Sequence, residues 1–189
     1  RNLSIGSGGL VITSNGNVLG ATTPTVTTAG DLTLNAVLTN RAFTIAINGT
    51  GDEIISGTGT LGILNVLSYT TNIGNLTISS RMAGSALRLI NGSTGYIKYS
   101  GNTGGADPGV LDATTVGNTV EYAQTTSDAI DFNLQKPSST YHHLIISGNA
   151  PKYYNGPVTI NGNLTITSTG VLSNQSGETL TLHGNWTNN

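Results

Sequence analysis

Three short runs near the end of the chain, Val158-Thr159-Ile160, Leu164-Thr165-Ile166 and Leu180-Thr181-Leu182, share one apolar–polar–apolar pattern, each bounded by Gly, Asn or Ser. The pattern recurs from the first residues onward: LSI at 3–5, LVI at 10–12, LTL at 32–34, FTIAI at 43–47, LGIL at 61–64, LTI at 76–78, LRLI at 87–90, YIKY at 96–99, VEY at 120–122 and LIIS at 144–147. An apolar residue at every second position is the period of a β-strand with one buried face. Between the runs lie turn clusters such as Asn48-Gly49-Thr50-Gly51, Asn91-Gly92-Ser93 and Asn161-Gly162-Asn163, whose Gly and Asn suit backbone positions with positive φ. Helical periodicity is approached once, in RMAGSALRLI at 81–90, where Gly84 interrupts it and the run reads as strand.

Many short strands fit either an antiparallel β-sandwich or a parallel β-solenoid. Self-similarity favours the solenoid. LTI at 164 follows LII at 144 by 20 residues, LTL at 180 follows LTI at 164 by 16, and the near-identical NLTIS (75–79) and NLTIT (163–167) lie 88 apart. The chain is therefore read as one all-β domain over 1–189, a parallel β-helix of about 20–25 residues per coil, the lower range of repeat architectures. The antiparallel sandwich is the alternative. Stacked coils place equivalent residues above one another, so Leu, Ile and Val are expected in interior ladders and Asn and Thr in hydrogen-bonded ones.

Composition narrows the function classes. Charged residues are 8% of the chain, against about a quarter in ordinary globular domains. Thr, Ser and Asn must therefore solvate the surface. A net charge of -2 gives no electrostatic reason to expect nucleic acid or an anionic membrane as partner. No apolar run approaches the roughly 20 residues of a transmembrane helix, so no membrane insertion is expected. The wealth of Val, Ile and Thr, with only 5 Pro, argues against disorder. The absence of Cys is compatible with any compartment. A charge-poor Thr/Asn/Gly profile points to the bacterial cell surface.

Residues 120–189, VEYAQTTSDAIDFNLQKPSSTYHHLIISGNAPKYYNGPVTINGNLTITSTGVLSNQSGETLTLHGNWTNN, resemble the repeats of large secreted bacterial surface proteins, autotransporter-like and adhesin-like, of Bacteroidetes type. Those repeats run from a V-x-Y strand through a Tyr-rich turn to L-x-L-x-G, then V-T-V-N-G-x-L-T-I and a G-N-W-T-N-N tail. Tyr141, Leu144, Ile146, Gly148, Val158, Ile160, Asn161, Gly162, Leu164, Ile166 and residues 184–189 match. His142-His143 replaces a smaller polar pair, and residues 1–119 share only the style. The resemblance implies a right-handed parallel β-helix with an extracellular structural or adhesive role.

Candidate chemistry is sparse. Glycoside hydrolysis needs two carboxylates at fixed separation, and Asp128 with Asp131, or Asp107 with Asp112, are the pairs closest in sequence. They read better as turn and strand-flanking residues, with Lys136 the nearby cation. His142 and His143 cannot both face one ion on a strand without a turn, since adjacent residues point to opposite faces, and His183 could join them only through stacking. The loop Asn102–Gly109 holds a single imperfect copy of a calcium-binding nonapeptide, short of the repeats such a cage needs. Tyr96, Tyr99, Tyr141, Tyr153, Tyr154 and Trp186 could form a strip for sugar rings, although Tyr96 and Tyr99 would lie on opposite faces. No catalytic, metal or cofactor residue is assigned, and a polysaccharide-degrading β-helix enzyme is the minor alternative.

The reading is of an extracellular structural protein. RNLSIGSGG enters almost directly into strand pattern and GNWTNN leaves on one, so both ends are expected to be uncapped. Unpaired edges template further pairing. Leu3, Ile5, Leu180, Leu182 and Trp186 are the expected interface residues of a head-to-tail fibre formed by coil stacking or strand exchange. The alternative is an adhesin segment whose side binds surface polysaccharide.

Overall fold

The computed structural model describes residues 3–5, 9–12, 25–38, 44–47, 53–66, 70–84, 89–100, 111–125, 138–154, 156–174 and 177–189. Among them there is no helix. In chain order the strands are β1 (Leu3–Ile5), β2 (Leu10–Ile12), β3 (Thr25–Thr28), β4 (Leu32–Leu34), β5 (Val37–Leu38), β6 (Thr44–Ile47), β7 (Glu53–Gly57) and β8 (Thr60–Val66). There follow β9 (Thr70–Asn72), β10 (Asn75–Gly84), β11 (Leu89–Asn91), β12 (Tyr96–Tyr99), β13 (Leu111–Asp112), β14 (Thr119–Tyr122) and β15 (Thr140–Tyr141). The last are β16 (His143–Ile146), β17 (Pro151–Tyr154), β18 (Val158–Ile160), β19 (Leu164–Ile166), β20 (Val171–Asn174), β21 (Leu180–Leu182) and β22 (Trp186–Asn188).

Each strand pairs in parallel with one from the next coil, about 21 residues away, and the chain is a β-solenoid. The main sheet runs β1-β3-β6-β8-β10-β12-β14-β16-β19-β22, with β5 also on β8. A second sheet, β2-β4-β7-β9-β11-β13, continues through the bridge Ala113↔Tyr141 into a third, β15-β18-β21. β17 and β20 form a further pair. Of the expected strand at 81–90, Arg81–Gly84 belongs to β10 and 89–90 to β11, while 85–88 lie outside the described residues.

Alternation within the strands becomes columns between them. Leu76, Ile97, Val120, Leu144, Leu164 and Trp186 stand above one another at steps of 21, 23, 24, 20 and 22 residues. The 88 residues between the two NLTI copies are four such steps. Leu180-Thr181-Leu182 does not sit on Leu164-Thr165-Ile166 as its spacing suggests. It pairs with Val158-Thr159-Ile160, and Trp186 pairs with Leu164. Each of these coils carries two look-alike runs, one on each side of an Asn-Gly or His-Gly corner, and a run stacks on its counterpart one full coil back.

A second interior column is Ile78, Tyr99, Tyr122, Ile146 and Ile166, all buried. Tyr99 meets Tyr122 edge to face at 6.3 Å, and Tyr122 meets Tyr141 likewise at 6.2 Å, arrangements that suit the ring quadrupole. The Tyr122 and Tyr141 hydroxyls are 2.9 Å apart in a buried hydrogen bond. Burial pushes both phenols above their usual range and keeps them neutral. With Tyr153 and Tyr154 also buried, four of the six aromatics expected as a sugar-binding strip are core. Tyr96 does face outward, opposite Tyr99, as the alternation requires.

The corner before the main sheet holds a buried polar ladder. Asn72, Asn91 and Asn118 are fully buried. Asn72 Nδ2 donates to Asn91 Oδ1 at 2.9 Å, Asn91 Nδ2 to Thr119 O at 2.9 Å, and Asn118 Nδ2 to Asn91 O at 2.7 Å. The carboxamide is the side chain that can both donate and accept along such a stack. Gly95 is fixed by it, because a Cβ there would strike Asn91 Oδ1 and Asn72 O. Removing the Asn91 side chain takes an acceptor from Asn72 Nδ2, which keeps Gly74 O, and a donor from Thr119 O, and a buried group left unpaired costs about 1–3 kcal/mol. Asn91→Ala should therefore lower stability by about 1–3 kcal/mol, whereas Asn161→Ala at an exposed corner should stay within about 0.5 kcal/mol. Urea titration of both variants checks this; equal effects would show that the ladder contributes nothing special.

Candidate functional site

Among the described residues the interior columns run on to β21 and β22, the last strands of the third and main sheets. Leu164 is 1% exposed, yet Trp186, one step above it in the same column, is 64% exposed. Leu180 and Leu182 are half-buried against the core. Together with Tyr154, Leu164 and Ile166 they surround a largely apolar cavity of about 360 Å³. Three expected interface residues, Leu180, Leu182 and Trp186, are thus brought together. Leu3 and Ile5 lie in β1, the strand at the other limit of the main sheet. Within the solenoid, what covers such a face is another parallel coil.

A second feature, on the outer side of the main sheet, was not singled out in the sequence. Glu121 is 7% exposed although its alternation places it outward, next to the interior residues Val120 and Tyr122. Lys98 Nζ sits 3.0 Å from Glu121 Oε1, Ser147 Oγ donates to the same oxygen at 2.5 Å, and Tyr96 Oη donates to Oε2. Tyr96 and Lys98 belong to one coil, Glu121 to the next and Ser147 to the one after. Burial acts to raise the carboxyl, but the hydrogen bonds from Ser147, Tyr96 and Lys98 outweigh it and hold Glu121 below the usual carboxylate range. A carboxylate so engaged, and so weak a base, works as a clamp across three coils rather than as a proton acceptor. Its signal was a charge pair 23 residues apart, visible only once the coil length is known.

Lys152 is fully buried. Its ammonium donates to Gln124 O at 2.9 Å, Gly148 O at 3.3 Å and Ser147 O. Burial pushes it down to about 8, with Glu121 acting in the opposite direction. This is a cation tying one coil's carbonyls to the loop of the next. Gln124, also buried, has neither end of its carboxamide paired among the described residues.

His142 and His143 do not point to opposite faces as a regular strand would require. Residue 142 is a bend between β15 and β16, and the two rings meet edge to face at 4.2 Å. His183 occupies an exposed corner. Among the described residues no group of three or more His, Asp or Glu is placed to hold a metal ion. Asp112 lies on β13, where its Oδ1 accepts from Thr114 N and Oγ1. Asp107, Asp128, Asp131, Lys136 and the loop Asn102–Gly109 lie outside the described residues. No helix among the described residues is long and apolar enough to cross a membrane.

Comparison of the chain with known protein families, with curated proteins and with solved structures finds no match.

The Glu121 clamp makes a pH prediction. Its folded pKa is depressed, so its contribution is complete above the ordinary value of 4.5 and is lost as pH falls below that value through the lowered one. Glu121→Gln should cost about 1.5–3 kcal/mol at pH 7, the range for hydrogen bonds to a charged group. It should also flatten the stability loss between pH 5 and pH 3. Thermal unfolding at both limits measures it; a variant as acid-sensitive as the parent would contradict the clamp.

Proposed function

We propose that this solenoid is a structural, non-enzymatic module of an extracellular bacterial fibre, stalk or matrix, and that its end face receives the first coil of a second copy. The observation that carries the reading is the interior column that runs buried through Leu144 and Leu164 and emerges at Trp186. The surface that joins each coil to the next is thereby repeated at β21 and β22, and it fits a further parallel coil. β1 and β2 are the limiting strands of the main and second sheets at the other end. Head-to-tail contact of two different surfaces is heterologous and makes an open fibre. Free parallel edges supply backbone pairing, and the cavity between Leu180, Leu182 and Trp186 supplies apolar burial.

A non-catalytic role is supported by Glu121, whose oxygens are engaged by three donors. A charge-poor surface rich in Thr and Asn suits a fibre outside the cell. The alternative partner, a surface polysaccharide, loses support because Tyr99, Tyr141, Tyr153 and Tyr154 are inside the coil.

Electron microscopy and light scattering of the purified chain over a range of concentrations test the proposal. Uniform fibres or concentration-dependent linear oligomers are expected, and Trp186→Asp with Leu182→Asp should abolish them while leaving the strand content intact. Monodisperse single rods at every concentration would overturn it.

A further inference from the structure

The corners of the coil use side-chain acceptors to hold the backbone of the next coil. Asp31 Oδ1 accepts from Ile54 N at 2.9 Å, Asn35 Oδ1 from Thr58 N at 3.3 Å, and Asn163 Oδ1 from Asn185 N at 3.0 Å. At the position one coil before Asn163 the residue is His143, and its Nδ1 accepts from Asn163 N at 2.9 Å. The imidazole nitrogen takes the place of a carboxamide oxygen. Its neighbour acts in the other direction, with His142 Nδ1 accepting from Gly117 N, one coil earlier, at 3.1 Å. Two adjacent histidines thus tie three successive coils through nitrogens that accept only when unprotonated. Gly162 keeps the corner tight, since a Cβ there would crowd His143 Nδ1 and His142 O.

We propose that the His142–His143 corner is an acid-sensitive joint of the solenoid, in which protonation of His143 releases the backbone of the following coil. An Asn at this position has no proton to gain in the physiological range. A His does, and its protonated Nδ1 would face the Asn163 N–H as a second donor.

Compensating charge is scarce around the corner. The described residues of the elements packed against it carry Asp112, Glu121 and Lys152 as their charged groups, with Tyr122 and Tyr141 inside the coil. Asp112 accepts from Thr114, Glu121 is held by Tyr96, Lys98 and Ser147, and Lys152 by three carbonyls. His183, further along the corners, is exposed. Burial, with His142 beside it, holds His143 below the usual imidazole value of 6.5. Because the folded value is the lower one, the unfolded or opened corner binds more protons. The stabilisation is complete above about pH 6.5 and drains away as pH falls from there through the folded value. The joint stands on the corner geometry alone and does not depend on copies stacking end to end.

Hydrogen exchange of the Asn163 and Gly117 amides in the whole chain, corrected for intrinsic exchange rates, tests it. In the parent, protection at Asn163 should fall by up to roughly tenfold per pH unit below about pH 6.5, the limit for one linked proton. In His143→Asn it should be flat over the same range. Nitrogen-15 shifts of the imidazoles provide a check that needs no variant, with the proton of neutral His143 expected on Nε2. The proposal is overturned by a parent profile that is flat to pH 5, by an equal slope in His143→Asn, or by a neutral ring protonated at Nδ1.

Discussion

Parallel stacking in register is the constraint from which the rest of this molecule follows. Once Leu76, Ile97, Val120, Leu144 and Leu164 must stand above one another, no position along the coil is independent. Each is a column, and a column tolerates only residues that are content beside their own kind at about 4.8 Å. Aliphatic side chains meet that condition by packing, and Tyr99 and Tyr122 by edge-to-face contact. Asn72 and Asn91 meet it by passing a hydrogen bond from coil to coil. Like charges cannot, which accounts for a chain with only 16 Asp, Glu, Lys and Arg residues in 189. The one stacked pair of charges among the described strand registers, Lys98 beside Glu121, is of opposite sign.

Corners are where the solenoid is specified. The strands could slide by one coil with little loss of apolar burial, because LTI resembles VTI and LTL. The corner contacts could not. Asp31, Asn35, His143 and Asn163 each select one backbone N–H of the following coil, and Lys152 selects the carbonyls of Gln124, Ser147 and Gly148. The polar groups thus act mainly on register, while the buried Leu and Ile columns supply most of the stability. Deleting a side chain such as Leu144, which has no exposed surface, typically costs about 2–5 kcal/mol.

Strand positions were legible because period-2 alternation is a local property, and each of LSI, LTL, YIKY and LIIS lies in or overlaps a strand. The coil length was legible from the two NLTI copies. Which run stacks on which was not, since Leu180-Thr181-Leu182 matches both Val158-Thr159-Ile160 and Leu164-Thr165-Ile166 in pattern, and the choice between them is made by the corner. Whether the histidine pair shares a face was not legible for a related reason. Opposite faces hold for a straight strand, and residue 142 is a bend. The Glu121 clamp and the Lys152 contact to Gln124 were invisible because those partners lie one coil away, at separations of 23 to 28 residues that carry no local signal. Of the expected interface, the C-terminal trio converges on one apolar face, because Trp186 inherits the interior column of Leu164.

The account rests on coils that advance by one strand spacing and never change order, which a distance across several coils measures directly. Thr77, Lys98, Glu121, Ile145, Thr165 and Thr187 form one outward column over five register steps. The chain has no cysteine to remove. Spin labels on Thr77→Cys and Thr187→Cys should give a single narrow distribution centred on a backbone separation of about 24 Å, shortening by about 4.8 Å when the second label moves from Thr187 to Thr165. A broad distribution, or a distance that does not shorten with that move, would contradict the stacked parallel coil.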